Sequence, residues 1–139
     1  MLGMKTIRRR SLCPVSSALD VLGDRWTLLI VRDLVLRGPL TYGQFLESGE
    51  RIATNILADR LATLSEVGIV EKREADVRSG YVYALTEKGL DLMPVLFELV
   101  LWGEKHFDIT VVARELGKRH RSDPDAFRAE ARSRHECPS

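Results

Sequence analysis

A chain of 139 residues, 45% hydrophobic and 29% charged, is long enough for one domain with a small core. Its net charge of +1 singles out no partner by balance alone, and its two cysteines, Cys13 and Cys137, form neither a disulfide framework nor a zinc pattern. No apolar run approaches the ~18 residues of a membrane span, and the basic start "MLGMKTIRRRSL" lacks the apolar stretch of a secretory signal, so a cytoplasmic location away from membranes is expected.

In chain order, residues 1–12 carry Lys5, Arg8, Arg9 and Arg10 without an acid and read as a basic flexible arm. "CPVSSALDVLG" reads as a short helix, with Pro14 at the first helical position, where its missing N–H costs nothing, and Gly23 as the stop. "RWTLLIVRDLVLRG" is apolar almost all round, as a core helix is, and Gly38-Pro39 ends it. "LTYGQFLES" is a short helix opening near Thr41, followed by "GER", a tight turn containing Gly49. "IATNILADRLATLSEVG" is the next helix, closed by Gly68. "IVEKREA" and "YVYALT" are strands, and the turn-forming "DVRSG" between them makes a hairpin.

"TEKGLDLMPVLFELVLWGEKHF" then reads as one long helix capped by Thr86, with Pro94 expected to kink it rather than end it. "ITVVARELGKRH" continues it or starts afresh near Asp108, and "DPDAFRAEARSRH" is a last helix with Asp123 as its cap. A mainly helical chain with one small β-hairpin, α+β in class, is the result.

The helix in residues 52–68 decides the functional reading. At ~100° per residue, Ala53, Leu57, Leu61 and Leu64 fall on one buried stripe. The outer face of its first two turns is small and polar: Arg51, Thr54, Asn55 and Ala58. A helix that enters a DNA major groove needs such a face, because large apolar groups would obstruct it. Asn55 can pair bidentately with adenine, and Thr54 or Ala58 can touch a thymine methyl. Asp59 would repel phosphate yet could accept from a cytosine amine, and Arg60 sits at the edge of the buried arc. A plain solvated face has the same composition. The order of elements favours DNA: short helix, tight turn and second helix make a helix-turn-helix, and the hairpin after it makes a wing.

Arg73, Arg78 and Lys72 lie in or near that wing, where cations clasp phosphates. The acids Glu71, Glu74 and Asp76 lie among them, so Arg78 and Gly80 at the tip rank above Lys72 as contacts. Residues 40–90 carry six basic and eight acidic groups, a deficit that any DNA-binding reading must accommodate.

The stretches "CPVSSALDVLGDRWTLLIVRDLVLRGPLTYGQF", "IATNILADRLATLSEVGIVEKR" and "YVYALTEKGLDLMPVLFELVLWGEKH" resemble the HxlR-type family of bacterial winged helix-turn-helix transcription regulators, relatives of the MarR group. The resemblance spans residues 13–107, with residues 108–139 left as a C-terminal helical tail. It implies a homodimer on a pseudo-palindromic operator, more naturally repressing than activating, formed through N- and C-terminal dimerisation helices. On this chain those helices would offer Val15, Leu19 and Leu22 from the first, and Leu90, Met93, Phe97, Val100, Leu101 and Trp102 from the last. The apolar content of the last helix points the same way, since it exceeds what one helix face hides in a small domain. The chain departs from the resemblance in its wing tip, "DVRSG" where members often carry prolines, and in its longer tail.

Cys13 stands at a helix start beside Pro14, where the helix dipole favours thiolate, and the resemblance offers it as a redox sensor. A small buried apolar residue is the plainer reading of Cys13. The histidines His106, His120 and His135 share no ligand spacing with one another or with a cysteine pair, so no metal is expected, and no cofactor motif or catalytic constellation occurs. A small-molecule effector would find its place near Trp26 and Trp102. The expected partners are therefore double-stranded DNA, a second copy and an unidentified effector; an enzyme is not expected. The competing reading is a winged-helix module that binds another protein through its apolar last helix.

Overall fold

The computed structural model describes residues 11–75, 80–108 and 111–136. The basic arm at residues 5–10, Arg78 at the hairpin tip and Cys137 lie outside the described residues.

Helix α1 (Pro14–Leu22) starts at its proline as expected and buries none of its residues. Helix α2 (Thr27–Arg37) is the core helix, with Ile30, Val31, Leu34 and Val35 buried. Its first turn is held by Asp24, whose carboxylate accepts from the Trp26 and Thr27 N–H groups at 2.9 and 3.0 Å and from the Thr27 hydroxyl at 2.6 Å. Helix α3 (Tyr42–Leu46) opens on a reciprocal cap: Thr41 Oγ1 accepts from the Gln44 N–H at 3.2 Å, and Gln44 Oε1 accepts from the Thr41 N–H at 2.9 Å.

The turn to helix α4 (Thr54–Glu66) is tight, and its left-handed residue is Arg51, with φ of 58°. Leu57, Leu61 and Leu64 of α4 are buried as the wheel places them. Ala53 is not. It is the exposed N-cap in extended conformation, so helical spacing does not extend back to it.

Gly68, with φ of 82°, reverses the chain after α4 in a conformation that a side chain would oppose. Strand β1 (Val70–Glu74) then pairs antiparallel with β2 (Tyr81–Leu85), Lys72 opposite Tyr83 and Glu74 opposite Tyr81. The Ala75 N–H donates to Gly80 O at 2.8 Å and closes the hairpin. Leu40 adds a one-residue bridge on the far side of β2, exchanging bonds of 3.0 and 2.8 Å with Tyr83, so the hairpin is tied to the start of the helix-turn-helix.

The long helix expected over residues 86–107 is two. Helix α5 (Glu87–Leu90) ends in a turn at Asp91 and Leu92, and α6 (Met93–His106) restarts with Pro94 in its first turn. A proline ring would strike the carbonyl four residues earlier, that of Leu90, in a continuous helix; restarting at Met93 removes the clash.

Helices α7 (Val111–Ser122) and α8 (Pro124–His135) fold back on the rest, α7 along α6 and α8 against α5 and β2. Asp123 caps α8 by accepting from the Ala126 N–H at 3.0 Å, as expected. Phe127 and Ala131 of α8 belong to the same core as α2, α4 and α6. The tail is therefore part of the packed body rather than an appendage. Among the described residues, no helix is long and apolar enough to cross a membrane.

Candidate nucleic-acid interface

Helix α4 is fixed at three points, and each fixing leaves its outer side clear. At the N-terminus, the Tyr42 hydroxyl donates to Thr54 O at 2.6 Å, tying α3 to the first residue of α4. In the middle, Arg60 reaches Asp24 at 3.5 Å, joining α4 to the cap of α2. At the C-terminus, Lys88 Nζ donates to Val67 O at 2.7 Å, a cation where the helix dipole is negative. The Thr86 hydroxyl bonds the carbonyls of Gly68 and Ile69, and a side chain at Gly89 would collide with Ile69 O. The sequence "LTEKG" is thus a bracket for the corner where α4 turns into β1.

Thr54, Asn55, Ala58 and Asp59 are all exposed on the outer face of α4; Arg51, expected on that face too, is exposed but lies in the turn before the helix begins. Asp59 carries no free negative charge on that face, because Arg60 bonds its carboxylate at 2.6 Å. Arg60 is correspondingly committed: the Asp59 hydrogen bond, ahead of the Asp24 charge, holds its guanidinium above its ordinary pKa. Burial alone would raise the Asp24 carboxyl, but the bonds from Thr27 and Trp26 and the Arg60 charge outweigh it and hold the group below its ordinary value. Arg60 therefore serves as a strut between α4 and α2, not as a hand held out to a ligand.

The wing sorts its cations by strand alternation. Arg73 pairs with Glu71 and lies near His135 of α8, so it too is occupied within the chain. Lys72 points to the other face, over the Tyr81 ring at 4.3 Å and the Tyr83 ring at 5.9 Å. Gly80 is exposed with φ of 72°, a backbone that only glycine adopts freely.

The acid excess of residues 40–90 is largely neutralised from outside. Two of its eight acids are paired from outside, Glu50 with Arg25 and Arg32 and Glu87 with Arg128 and Arg132, while Asp59 and Glu71 pair within the stretch, with Arg60 and Arg73. By contrast, Arg51 and Lys72 have no carboxylate partner among the described residues, and Arg37 reaches only Gln44 O, at 3.4 Å. Among the described residues around α3 and α4, Lys88 is the other cation without a carboxylate, and it is spent on Val67 O. Sequence reasoning missed Arg37 and ranked Lys72 low. Lys72 was legible from alternation, since it shares a face with Tyr81 and Tyr83 through the strand register.

Residues 21–110 match the family described as HxlR-like helix-turn-helix. The chain belongs to that family. The HTH-type transcriptional regulator YodB of Bacillus subtilis is 34% identical over 99 residues, spanning 68% of this chain and 86% of YodB. The solved structure of PA1607 superposes with a TM-score of 0.65 at 41% identity, over 73% of this chain and 70% of that one. The redox regulator HypR in its oxidised form superposes with a TM-score of 0.63 at 30% identity, over 70% of this chain and 100% of HypR. A quinone-bound YodB structure gives 0.57 at 35% identity, over 67% of this chain and 99% of YodB. The fold is the winged helix-turn-helix of these proteins, and in this HxlR-like chain α7 and α8 lie beyond the matched stretch.

The apolar residues expected at a subunit interface divide into two sets. Leu90, Met93 and Phe97 are buried in the chain's own core, and Phe97 packs on Phe127 and stacks on His120, both at 4.9 Å between ring centroids. The tail covers the side of α6 that the sequence left for a partner, so these three are corrected to core residues. Val15, Leu19 and Trp102 are exposed, joined by Val95, Leu99 and Phe107, while Leu22, Val100 and Leu101 are half-buried.

Cys13 is exposed, not the buried apolar residue of the plainer expectation. Among the described residues of one subunit, Trp26 and Trp102 line different hollows. Trp26 lines a cavity of about 10 Å³, room for one water, and Trp102 lines a separate open groove on α6.

Proposed function

We propose that this HxlR-like chain is a sequence-specific DNA-binding regulator of transcription, acting as a homodimer on a pseudo-palindromic operator and repressing by occupying it. A cytoplasmic location goes with that role. One observation carries the reading: the outer face of α4 is exposed, free of uncompensated acid, and bordered by cations that the chain itself does not neutralise. Thr54, Asn55 and Ala58 face the base edges, Arg51 and the wing-tip residues Arg78 and Gly80 face phosphates, and Asp59 with Arg60 sets the edge of the contact. The exposed apolar residues of α1 and the outer face of α6 join two copies, which places two α4 helices about 34 Å apart or a multiple of it.

Control of binding falls to Cys13, exposed at the start of α1, and to a small oxidising or electrophilic effector. The relatives support this: HypR is a redox regulator with an oxidised form, and YodB is known with a quinone bound. The competing protein-binding reading rested on the acid excess around the helix-turn-helix, which the ion pairs with Arg25, Arg32, Arg128 and Arg132 now account for.

The test is a footprint of the purified protein on the DNA upstream of its own gene, repeated at rising salt. A protected pair of half-sites, with log affinity falling linearly against log salt, is expected. Salt-independent or absent protection would refute it.

A further inference from the structure

Helix α8 lies beyond the residues matched to the HxlR-like family, yet its last turn sits where the helix-turn-helix begins and the wing ends. We infer that α8 is a clamp that fixes the direction of the wing relative to α4, with His135 and Arg134 as positioning residues for the wing's contacts to DNA. The inference rests on the DNA reading above and gives a task in it to a helix that need not touch DNA.

The wing requires an outside support. A two-stranded hairpin is marginal in water by itself, so its direction comes from what it packs on. Among the described residues, β1 and β2 pair with each other and, at one point, β2 pairs with Leu40. The N–H and carbonyl of Tyr83 face Leu40, and at period two the Leu85 N–H faces the same way. Continued by two residues, that register would set Gly38 opposite Leu85. Gly38 instead closes α2, giving its N–H to Leu34 O at 3.0 Å. His135 Nδ1 accepts the Leu85 N–H at 3.0 Å in place of the missing strand.

The same turn of α8 is fixed to α2. Four residues after Val35 stands Pro39, which has no N–H to give the Val35 carbonyl, and Arg134 Nη1 donates to it at 2.6 Å. Arg134 Cβ lies 3.5 Å from where a side chain at Gly38 would start, so α8 rests on the turn that leads into α3. His135 is 3% exposed, and its Nε2 lies 2.7 Å from Leu34 O. An apolar side chain could fill this space. A ring bonded at both nitrogens also fixes direction, because its hydrogen bonds hold in one orientation.

Further back along α8, Arg128 meets Asp91 at 2.6 Å and Arg132 meets Glu87 at 2.6 Å. Glu87 opens α5, whose Thr86, Lys88 and Gly89 bracket the corner between α4 and β1. One helix thus spans the corner before α3 and the corner after α4, the two places about which the wing could turn against the reading helix. Because the wing meets phosphates and α4 meets bases, loss of the clamp weakens all DNA alike and leaves the preference for the operator intact.

The experiment pairs amide hydrogen exchange of the full-length protein with its affinity for its own upstream operator and for an unrelated duplex across a salt series, at neutral pH. A general loss of stability speeds the protected amides everywhere by one factor. In His135→Leu, the amides of β1 and β2 should exchange about tenfold faster than the factor common to α2 and α4. Affinity for both duplexes should fall together, about three- to tenfold, with the salt slope lower by about one. His135→Asn, whose amide oxygen stands where Nδ1 does, should return both readouts toward the wild type. If His135→Leu does not fold, Arg134→Met decides by hydrogen exchange alone, since its lost charge would itself alter the salt slope. Exchange that rises evenly across wing and α4, an unchanged salt slope in His135→Leu, or His135→Asn behaving like His135→Leu would each overturn the inference while the DNA reading stands. If the wild-type protein itself shows no salt-dependent binding, the DNA reading fails first and this inference with it.

Discussion

The imidazole of His135, near the C-terminus, accepts a hydrogen bond at Nδ1 from the backbone N–H of Leu85, at 3.0 Å. Its Nε2 lies 2.7 Å from Leu34 O, and with Nδ1 already accepting, Nε2 carries the proton and donates. Beside it, Arg134 Nη1 donates to Val35 O at 2.6 Å. The end of α8 thus bonds two last-turn carbonyls of α2, adding to the Gly38 N–H at Leu34 O, and an amide at the base of the wing. This links the core helix, the wing and the tail through one buried ring.

Acid should loosen this joint. Burial, helped by the nearby Arg73 and Arg134 charges, pushes the His135 pKa below the usual 6.5, and the bond to Leu34 opposes the shift only in part. Glu71, Glu87, Arg132 and Glu136 face the same recess from β1, α5 and α8. Above pH ~6.5 the ring is neutral in both folded and unfolded chains. Below it the unfolded chain takes up the proton first, so stability falls as pH falls, until the folded pKa is passed. Urea unfolding between pH 8 and 5 checks this. His135→Leu should cost about 1–3 kcal/mol at pH 8, chiefly by stranding the Leu85 N–H, since the Leu34 carbonyl keeps its bond from the Gly38 N–H, and should flatten this part of the pH dependence.

Arg51 offers a contrast between stability and function. Its left-handed backbone, φ of 58°, costs a side-chain-bearing residue about 1–2 kcal/mol. Arg51→Gly relieves that and loses part of the gain to unfolded-chain entropy. The expected result is unchanged or slightly raised stability, by up to about 1 kcal/mol, together with weaker DNA binding. Equal affinity in the variant would remove Arg51 from the interface.

The two sides of α6 should respond oppositely to substitution. Phe97→Ala opens a hole against Phe127 and His120 and should destabilise the fold by about 3–5 kcal/mol. Leu99→Glu and Trp102→Glu alter exposed positions and should leave the thermal midpoint nearly unmoved. In sedimentation equilibrium they should give monomers where the wild type gives dimers. A dimer that survives both would move the interface elsewhere.

Cys13→Ser should fold with the wild-type thermal midpoint, since the thiol is exposed. DNA affinity measured with and without a quinone should respond in the wild type and stay constant in the variant. An unaltered response in Cys13→Ser would take the sensing role from this residue.

The elements that local chemistry specifies were legible in the chain. Pro14, Thr41, Thr86 and Asp123 start helices where their side chains say they should, and the two strands expected on either side of residues 76–79 pair antiparallel. The buried stripe of α4 followed from its period, apart from Ala53, which lies before the helix begins. What was hidden depends on residues far apart in the chain. Phe97 reads as surplus apolar surface until α8 brings Phe127 over it. Arg60 and Arg73 read as free cations until Asp59, Asp24 and Glu71 are seen to hold them. The acid excess reads as an obstacle to DNA until Arg128 and Arg132 return from the tail to Glu87. Pairings of this kind leave no periodic trace in a single sequence.

The reading face of α4 is tested most directly by footprinting Asn55→Ala beside the wild type on the same upstream DNA, at fixed salt. Asn55 is exposed and nothing in the fold depends on its amide, so the variant should fold normally. The expected result is a loss of about 1–3 kcal/mol confined to particular base pairs, with affinity for unrelated DNA unchanged. A variant that protects the same bases with the same affinity as the wild type would contradict the assignment of α4 as the reader.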